Sequence, residues 1–142
     1  MRVNARNCGA HPLADPSTCQ IGWQVFDPET GFFIWEGEWR LLDEPLPPGA
    51  SRPLEVRIPL PRERGQYHFY VSWIEDGKGW AYQQGKPFLL LEVEIESGRA
   101  RTFSFRQTTL RKLAWERRLR HLRGVLQRPL EVWFQHWGLI RS

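Results

Sequence analysis

The stretch Gln66–Leu91, QYHFYVSWIEDGKGWAYQQGKPFLLL, decides the fold. Tyr67, Phe69, Val71 and Trp73 share one face at period two, and His68, Tyr70, Ser72 and Ile74 share the other. Side chains alternate across a strand, so a segment largely apolar on both faces reads as a central strand covered on both sides. Glu75-Asp76-Gly77-Lys78-Gly79 is polar and glycine-rich, a turn by composition. A connection carrying Trp80 and Tyr82 follows, and Phe88–Leu91 opens a second buried strand. Any binding site is expected to include this connection.

Working outward, the same period recurs. Arg2–Asn7 alternates weakly and stops at Asn7-Cys8-Gly9; a sandwich normally has a strand before it, so a fragment lacking its first strand is expected. Ile21, Trp23 and Val25 share a face of the next strand. Asp27-Pro28-Glu29-Thr30-Gly31 is a turn, proline presetting φ near its start and glycine accepting positive φ at its end. Phe32–Trp35 reads as the return strand, and Glu36-Gly37-Glu38-Trp39 as a short broken one. After the turn at Leu46–Ser51, Leu54, Val56, Ile58 and Leu60 alternate with Glu55, Arg57 and Pro59, a full strand whose proline suits an edge. Val93 and Ile95 alternate with Glu92, Glu94 and Glu96, and Arg101–Arg106 forms a last strand around Phe103 and Phe105. Short strands between Pro/Gly turns, with no helical period before residue 107, predict an antiparallel, immunoglobulin-like (jelly-roll-type) β-sandwich of about seven or eight strands over 1–106.

Residues 107–142 differ in kind. Residues 1–100 hold 10 Lys/Arg against 14 Asp/Glu, a net of −4, whereas 101–128 hold 9 against the single acid Glu116, a net of +8. The expected extension begins with a helix capped by Thr108 or Thr109 and running to about Gln127, with Trp115, Leu119, Leu122 and Leu126 on one stripe and arginines around it. Pro129 then opens a short second helix with an aromatic face at Trp133, Phe134 and Trp137. Such a basic amphipathic segment suits an anionic interface through Arg117, Arg118, Arg120, Trp133 and Trp137, or else it packs on the sandwich or on a twin helix. The same arginines could grip phosphates, but no nucleic-acid-binding motif accompanies them, which argues against a nucleic-acid partner.

Much chemistry is absent from the sequence. There is no Walker-type glycine loop, so nucleotide hydrolysis is excluded, and the four histidines fall on four different elements. Glu36 and Glu38 flank Gly37 as paired carboxylates might, but a solvated strand edge accounts for them better. Cys8, His11 and Cys19 supply three ligands without a convincing fourth, so no metal is expected; no cofactor is expected either, and the two cysteines are expected to stay reduced. The N-terminus lacks an apolar signal core and no run reaches membrane-spanning length, so the expected location is cytoplasmic, peripheral at the inner membrane if the helix binds there. Eight tryptophans in 142 residues point to an aromatic core, to exposed stacking surfaces, or to both.

Ile21 to about Ile95 resembles the C-terminal domain of the ATPase subunit of bacterial polysaccharide (O-antigen) ABC exporters, a sandwich also appended to bacterial glycosyltransferases and methyltransferases. The resemblance is carried by Ile21-Gly22-Trp23-Gln24-Val25-Phe26-Asp27, Leu46-Pro47-Pro48-Gly49-Ala50-Ser51 with the alternating segment after it, Gly65-Gln66-Tyr67-His68-Phe69, Gly79-Trp80 and Gly85-Lys86-Pro87-Phe88. It covers about half the chain; no ATPase domain is present and the usual first strand is not seen. The resemblance implies a non-catalytic carbohydrate-binding module, often dimeric, that recognises a surface polysaccharide for export or synthesis.

Stacking on sugar C–H faces needs flat rings, and reading hydroxyls needs amides and carboxylates. Trp80, Tyr82, Trp35 and Trp39, with Glu75, Asp76, Gln83 and Gln84, could supply both; Trp80 and Tyr82 stand evenly between site and packing, whereas Trp35 and Trp39 lean towards packing. The competing expectation is a structural or docking module that forms a homodimer, or that anchors a glycosyltransferase or ABC transporter at the membrane. The two part over Trp80, exposed in the first and buried in the second.

Overall fold

The computed structural model describes residues 2–13 and 19–122. Strands β1 (Arg2–Arg6) and β5 (Ser51–Glu55) make a two-stranded sheet. The remaining strands, β2 (Cys19–Phe26), β3 (Phe33–Glu36), β4 (Arg40–Leu41), β6 (Gly65–Glu75), β7 (Gly79–Trp80), β8 (Phe88–Glu96) and β9 (Arg99–Thr108), form a seven-stranded sheet in the order β3-β2-β6-β8-β9. There β4 pairs with β2, and β7 with β6. Every pairing is antiparallel, as the hairpin spacing predicts. The architecture is mainly antiparallel β in two sheets, sandwich-like but unequal. The chain divides into two compact units at Thr109/Leu110, and the helix α1 (110–122) belongs to the second.

The registers explain the core. Trp23 lies opposite Val71 and Val25 opposite Phe69, while Phe69 in turn faces Leu91 and Tyr67 faces Val93. These side chains form one inner cluster with Ile21, Ile95 and Val56, against which Val3, Leu54 and Ile58 pack from the smaller sheet and the segment after it. Trp23 ties the layers together: its indole N–H donates to the Arg57 carbonyl at 3.0 Å. The alternation of Leu54–Leu60 predicts a full strand, but among the described residues ladder pairing ends at Arg2–Glu55. Val56 still buries its side chain although the backbone beyond Glu55 has left the ladder.

Two loops are locked by side chains. The Asp27 carboxylate accepts from the Glu29 and Thr30 amides and from the Thr30 hydroxyl, fixing the β2–β3 turn. Asn7 is buried and donates to the carbonyls of Leu46 and His11 while accepting from the Gly9 amide, so β1 ends where its side chain closes the loop. Residues 37–39 form no strand. Gly37 instead passes directly over the Trp23 ring, where a Cβ would stand 1.9 Å from Trp23 Cζ2. Cys8 is exposed, Cys19 is buried, and both are free thiols.

The predicted last strand is longer than expected, Arg99–Thr108, and α1 begins directly beyond Thr109 as the capping signal indicates. The expected continuation to Gln127 and the second, aromatic helix with Trp133 and Trp137 lie outside the described residues. Among the described residues no helix is long and apolar enough to cross a membrane.

Gly37→Ala should lower stability by about 3 kcal/mol, because Trp23 is held by packing and a hydrogen bond and has nowhere to yield. Urea unfolding followed by tryptophan fluorescence measures this, and a loss below about 0.5 kcal/mol, the level of an ordinary surface substitution, would mean that the ring does not constrain the β3–β4 link.

Candidate functional site

The outer face of the large sheet carries a second cluster, built on Phe26, Tyr70 and Phe88. Phe26 stacks on Tyr70 at 4.2 Å between ring centroids, and Phe88 sits 4.5 Å from Tyr70. The connection between β7 and β8 closes over these rings. After Gly79 and Trp80 the chain makes a 3-10 turn, Ala81–Gln84, and leaves it through Gly85 at φ 80°, a left-handed conformation open to glycine without strain. That turn drives Tyr82 inward, with Tyr70, Phe88 and Trp80 at 5.6, 5.4 and 5.9 Å.

Trp80 and Tyr82 are therefore only 5 % and 3 % exposed. Each turns its ring into protein, because the connection folds back onto an apolar sheet face that needs covering. The Tyr82 hydroxyl donates to Gln24 Oε1, and Gln24 Nε2 donates to Glu36 Oε2 at 2.9 Å. Burial raises the Tyr82 phenol to about 12, and it likewise raises Tyr67, helped there by Glu63.

The other candidates scatter. Trp35 lies opposite Val25 on the inner face, partly buried, with its ring edge-on to Tyr67 and Phe69 at 5.9 and 6.4 Å. It sits on the opposite side of the sheet from Trp80, packed against the inner cluster. Glu75 is largely committed: Lys78 Nζ lies 2.7 Å away and Lys86 Nζ 3.7 Å away, and the hydrogen bond from Lys78 holds its carboxyl below the usual range. Gln83 is exposed on the 3-10 turn. Of the four candidate rings Trp39 is the most open to solvent, 43 % exposed. It is also firmly seated, because Gly22 leaves room beneath it: a Cβ there would stand 2.7 Å from Trp39 Cδ1. The edge of Trp80 supports it at 6.1 Å.

Two apolar surfaces went unassigned in the sequence. At the β3 edge Phe32, Phe33 and Ile34 are all exposed. At the β9 edge Phe103 and Phe105 are 51 % and 67 % exposed, although they lie opposite the core residues Val93 and Leu91 and so belong to the inner face. A groove lined by Ile58, Leu60, Phe69, Leu91, Val93 and Phe103 opens beside them, where the cover from the small layer ends. The alternation of Phe103 with Phe105 placed a strand here; that nothing among the described residues covers it depends on the length of a non-local partner. On α1, Trp115, Leu119 and Leu122 are exposed together with Arg118 and Arg120, while Arg117 is half-buried. Among the described residues no group of three His, Cys, Asp or Glu is placed to hold a metal ion. No family model, curated protein or solved structure matches the chain.

Tyr82→Phe should cost about 1–2 kcal/mol at neutral pH, since it strands a buried amide oxygen. The unfolded phenol ionises near 10 and the folded one near 12, so the unfolded state sheds this proton first. Stability should be level below about pH 10 and fall from there towards pH 12, and the substitution should remove the Tyr82 share of that fall. Urea midpoints from pH 8 to 11.5, with absorbance at 295 nm to follow phenolate, check both expectations.

Proposed function

We propose that this chain is a non-catalytic docking module that works through protein contacts at its sheet edges, with α1 as a membrane-surface contact. The observation that carries the reading is the uncovered aromatic strip on β9, where Phe103 and Phe105 lie on the core side of the sheet and yet face solvent. Exposed aromatic patches on a folded domain mark interaction surfaces. The inward turn of Trp80 and Tyr82 supports docking over glycan binding, because it removes two of the rings that sugar stacking would use. The resemblance described above adds an immunoglobulin-like strand plan and a setting: a cytoplasmic module beside the inner membrane, attached to a polysaccharide-assembling glycosyltransferase or to an ABC exporter.

A second reading, carbohydrate binding, keeps one specific observation in its favour. Trp39 is an exposed ring held rigidly over Gly22, with Glu36 on the neighbouring strand as a hydrogen-bonding carboxylate. A bacterial surface polysaccharide is the ligand it would take.

A photo-crosslinking residue placed at Phe33 or Phe105 in the source cells should yield discrete protein adducts, whereas one at the exposed Arg57 should not. Fluorescence titration with surface oligosaccharides decides the alternative. A saturable response abolished by Trp39→Ala, with no adducts at either edge, would overturn docking in favour of glycan binding.

The membrane contact makes its own prediction. Replacing Arg117, Arg118 and Arg120 together by alanine should abolish binding to vesicles containing phosphatidylglycerol, and wild-type binding should weaken as salt is raised. Co-sedimentation measures both; binding unchanged by the substitutions removes α1 from the proposal.

A further inference from the structure

The groove between the two layers has unlike walls. One is the inner face of the large sheet, with Phe69 on β6, Leu91 and Val93 on β8 and Phe103 on β9. The other is Ile58 and Leu60, in the segment after β5. Its floor is core, because Phe69, Leu91 and Val93 are buried, whereas Leu60 and Phe103 at its mouth are about half exposed. None of these six side chains carries a hydrogen-bonding group. A polar ligand atom placed here would lose its water and gain no partner, which excludes a sugar or a peptide backbone and leaves hydrocarbon. The space measures about 110 Å³. An apolar cavity of about 150 Å³ takes a benzene ring, so this one suits the slender end of an alkyl chain and not a fused ring system.

The charge around the mouth supplies the rest of the ligand. The segment Val56–Arg62, VRIPLPR, carries Arg57 and Arg62 and no acid. Arg62 is exposed, and the Arg57 guanidinium, also exposed, lies 3.9 Å from Glu55. On the facing wall Glu92, Glu94 and Glu96 alternate with Leu91, Val93 and Ile95, so the acids of β8 lie on the far side of the sheet. There Glu96 engages Arg64 at 3.8 Å and Arg101 at 2.5 Å. The cations on the segment that bears Leu60 therefore face no carboxylate from β8. This segment is also set in place in advance: Pro59 and Pro61 restrict its backbone, and the Trp23 indole holds it through the Arg57 carbonyl.

We infer that the groove binds a free medium-chain fatty acid as its carboxylate. The alkyl end lies over Phe69 and Leu91, and the carboxylate emerges past Leu60 towards Arg57 and Arg62. A hydrocarbon floor followed by a basic rim matches the order of groups in such a ligand, which has one charge at one end and no other polar atom. The inference goes beyond the docking reading and does not need it. Phe105 is not among the walls of the groove, so its ring stays on the β9 edge for a protein partner.

Isothermal titration calorimetry of the full chain with hexanoate, octanoate, decanoate and dodecanoate, each below its micelle concentration, tests the site. Affinity should rise about fourfold for every two methylenes, as expected for hydrocarbon half withdrawn from water, and level off once the chain fills the groove. Octanoate should bind about threefold more tightly than 1-octanol, the size of effect that exposed charges give, and replacing Arg57 and Arg62 together by alanine should remove that difference. Leu60→Glu, which sets a carboxylate at the mouth, should weaken decanoate at least tenfold with unchanged circular dichroism, since Leu60 is half exposed. Phe33→Ser, which removes a comparably exposed ring at the β3 edge, should leave decanoate affinity at the wild-type value. Four outcomes would each overturn the site: no saturable binding of decanoate at millimolar concentration, affinity that climbs through dodecanoate without levelling, octanol bound as tightly as octanoate, or Phe33→Ser as damaging as Leu60→Glu.

Discussion

Phe69 and Tyr70 are neighbours on β6, and they point into two different cores. Phe69 belongs to the cluster of Trp23, Leu91 and Val93, while Tyr70 stacks on Phe26 and lies against Phe88 on the other face of the sheet. A strand that is apolar on both faces cannot be exposed on either without losing the burial that stabilises it. Both faces therefore need covers. The inner cover is β1, β5 and the segment through Ile58; the outer one is the short connection bearing Trp80 and Tyr82. The remaining strands take their positions from this double burial, including β2 and β8, which flank β6 along most of its length.

The covers are small, which explains their stiffness. The outer one is a single 3-10 turn, and its buried hydroxyl is satisfied: Tyr82 reaches Gln24, and Gln24 passes the chain of bonds on to Glu36. The inner one is pinned by the Trp23 indole on the Arg57 carbonyl. Glycine makes the close approaches feasible, at Gly22 beneath Trp39 and at Gly37 above Trp23, where any side chain would collide with an indole.

Central strands were legible in the sequence because their evidence is local. Period-two alternation in Tyr67–Ile74 and Ile21–Val25, and the proline and glycine of the Asp27–Gly31 turn, are written into neighbouring residues. The extent of the smaller sheet was not. Leu54–Leu60 carries a strand-like pattern, and Leu54, Val56 and Ile58 do pack, but a ladder needs a non-local partner, and the described pairing ends at Glu55. The burial of the Trp80–Tyr82 connection was hidden for the same reason in reverse. Glycine flanks and aromatic content describe an exposed recognition loop and a lid over a second core equally well, and the burial of Trp80 and Tyr82 beside Tyr70 and Phe88 decides between them. The seat of Trp39 was hidden as well, because Gly22 lies on β2, far from it in sequence.

The inequality of the two sheets leaves a physical consequence at β9. The large sheet extends its inner face as far as Phe103 and Phe105, but among the described residues the opposing layer reaches only to Ile58 and Leu60, beside the groove. Burying a phenylalanine side chain is worth about 1.5–3 kcal/mol, so two exposed rings beside an open groove hold a free energy that association can release. Indiscriminate stacking is restrained by what flanks them. On the inner face the strip ends at Gln107 and at the register shift around Arg101, while Arg106 lies on the other face beside Glu92, so the strip is two rings long. A partner strand must place apolar groups at two alternate positions. Short apolar strips bounded in this way favour one register over many, and that turns an edge which could aggregate into one that selects its partner.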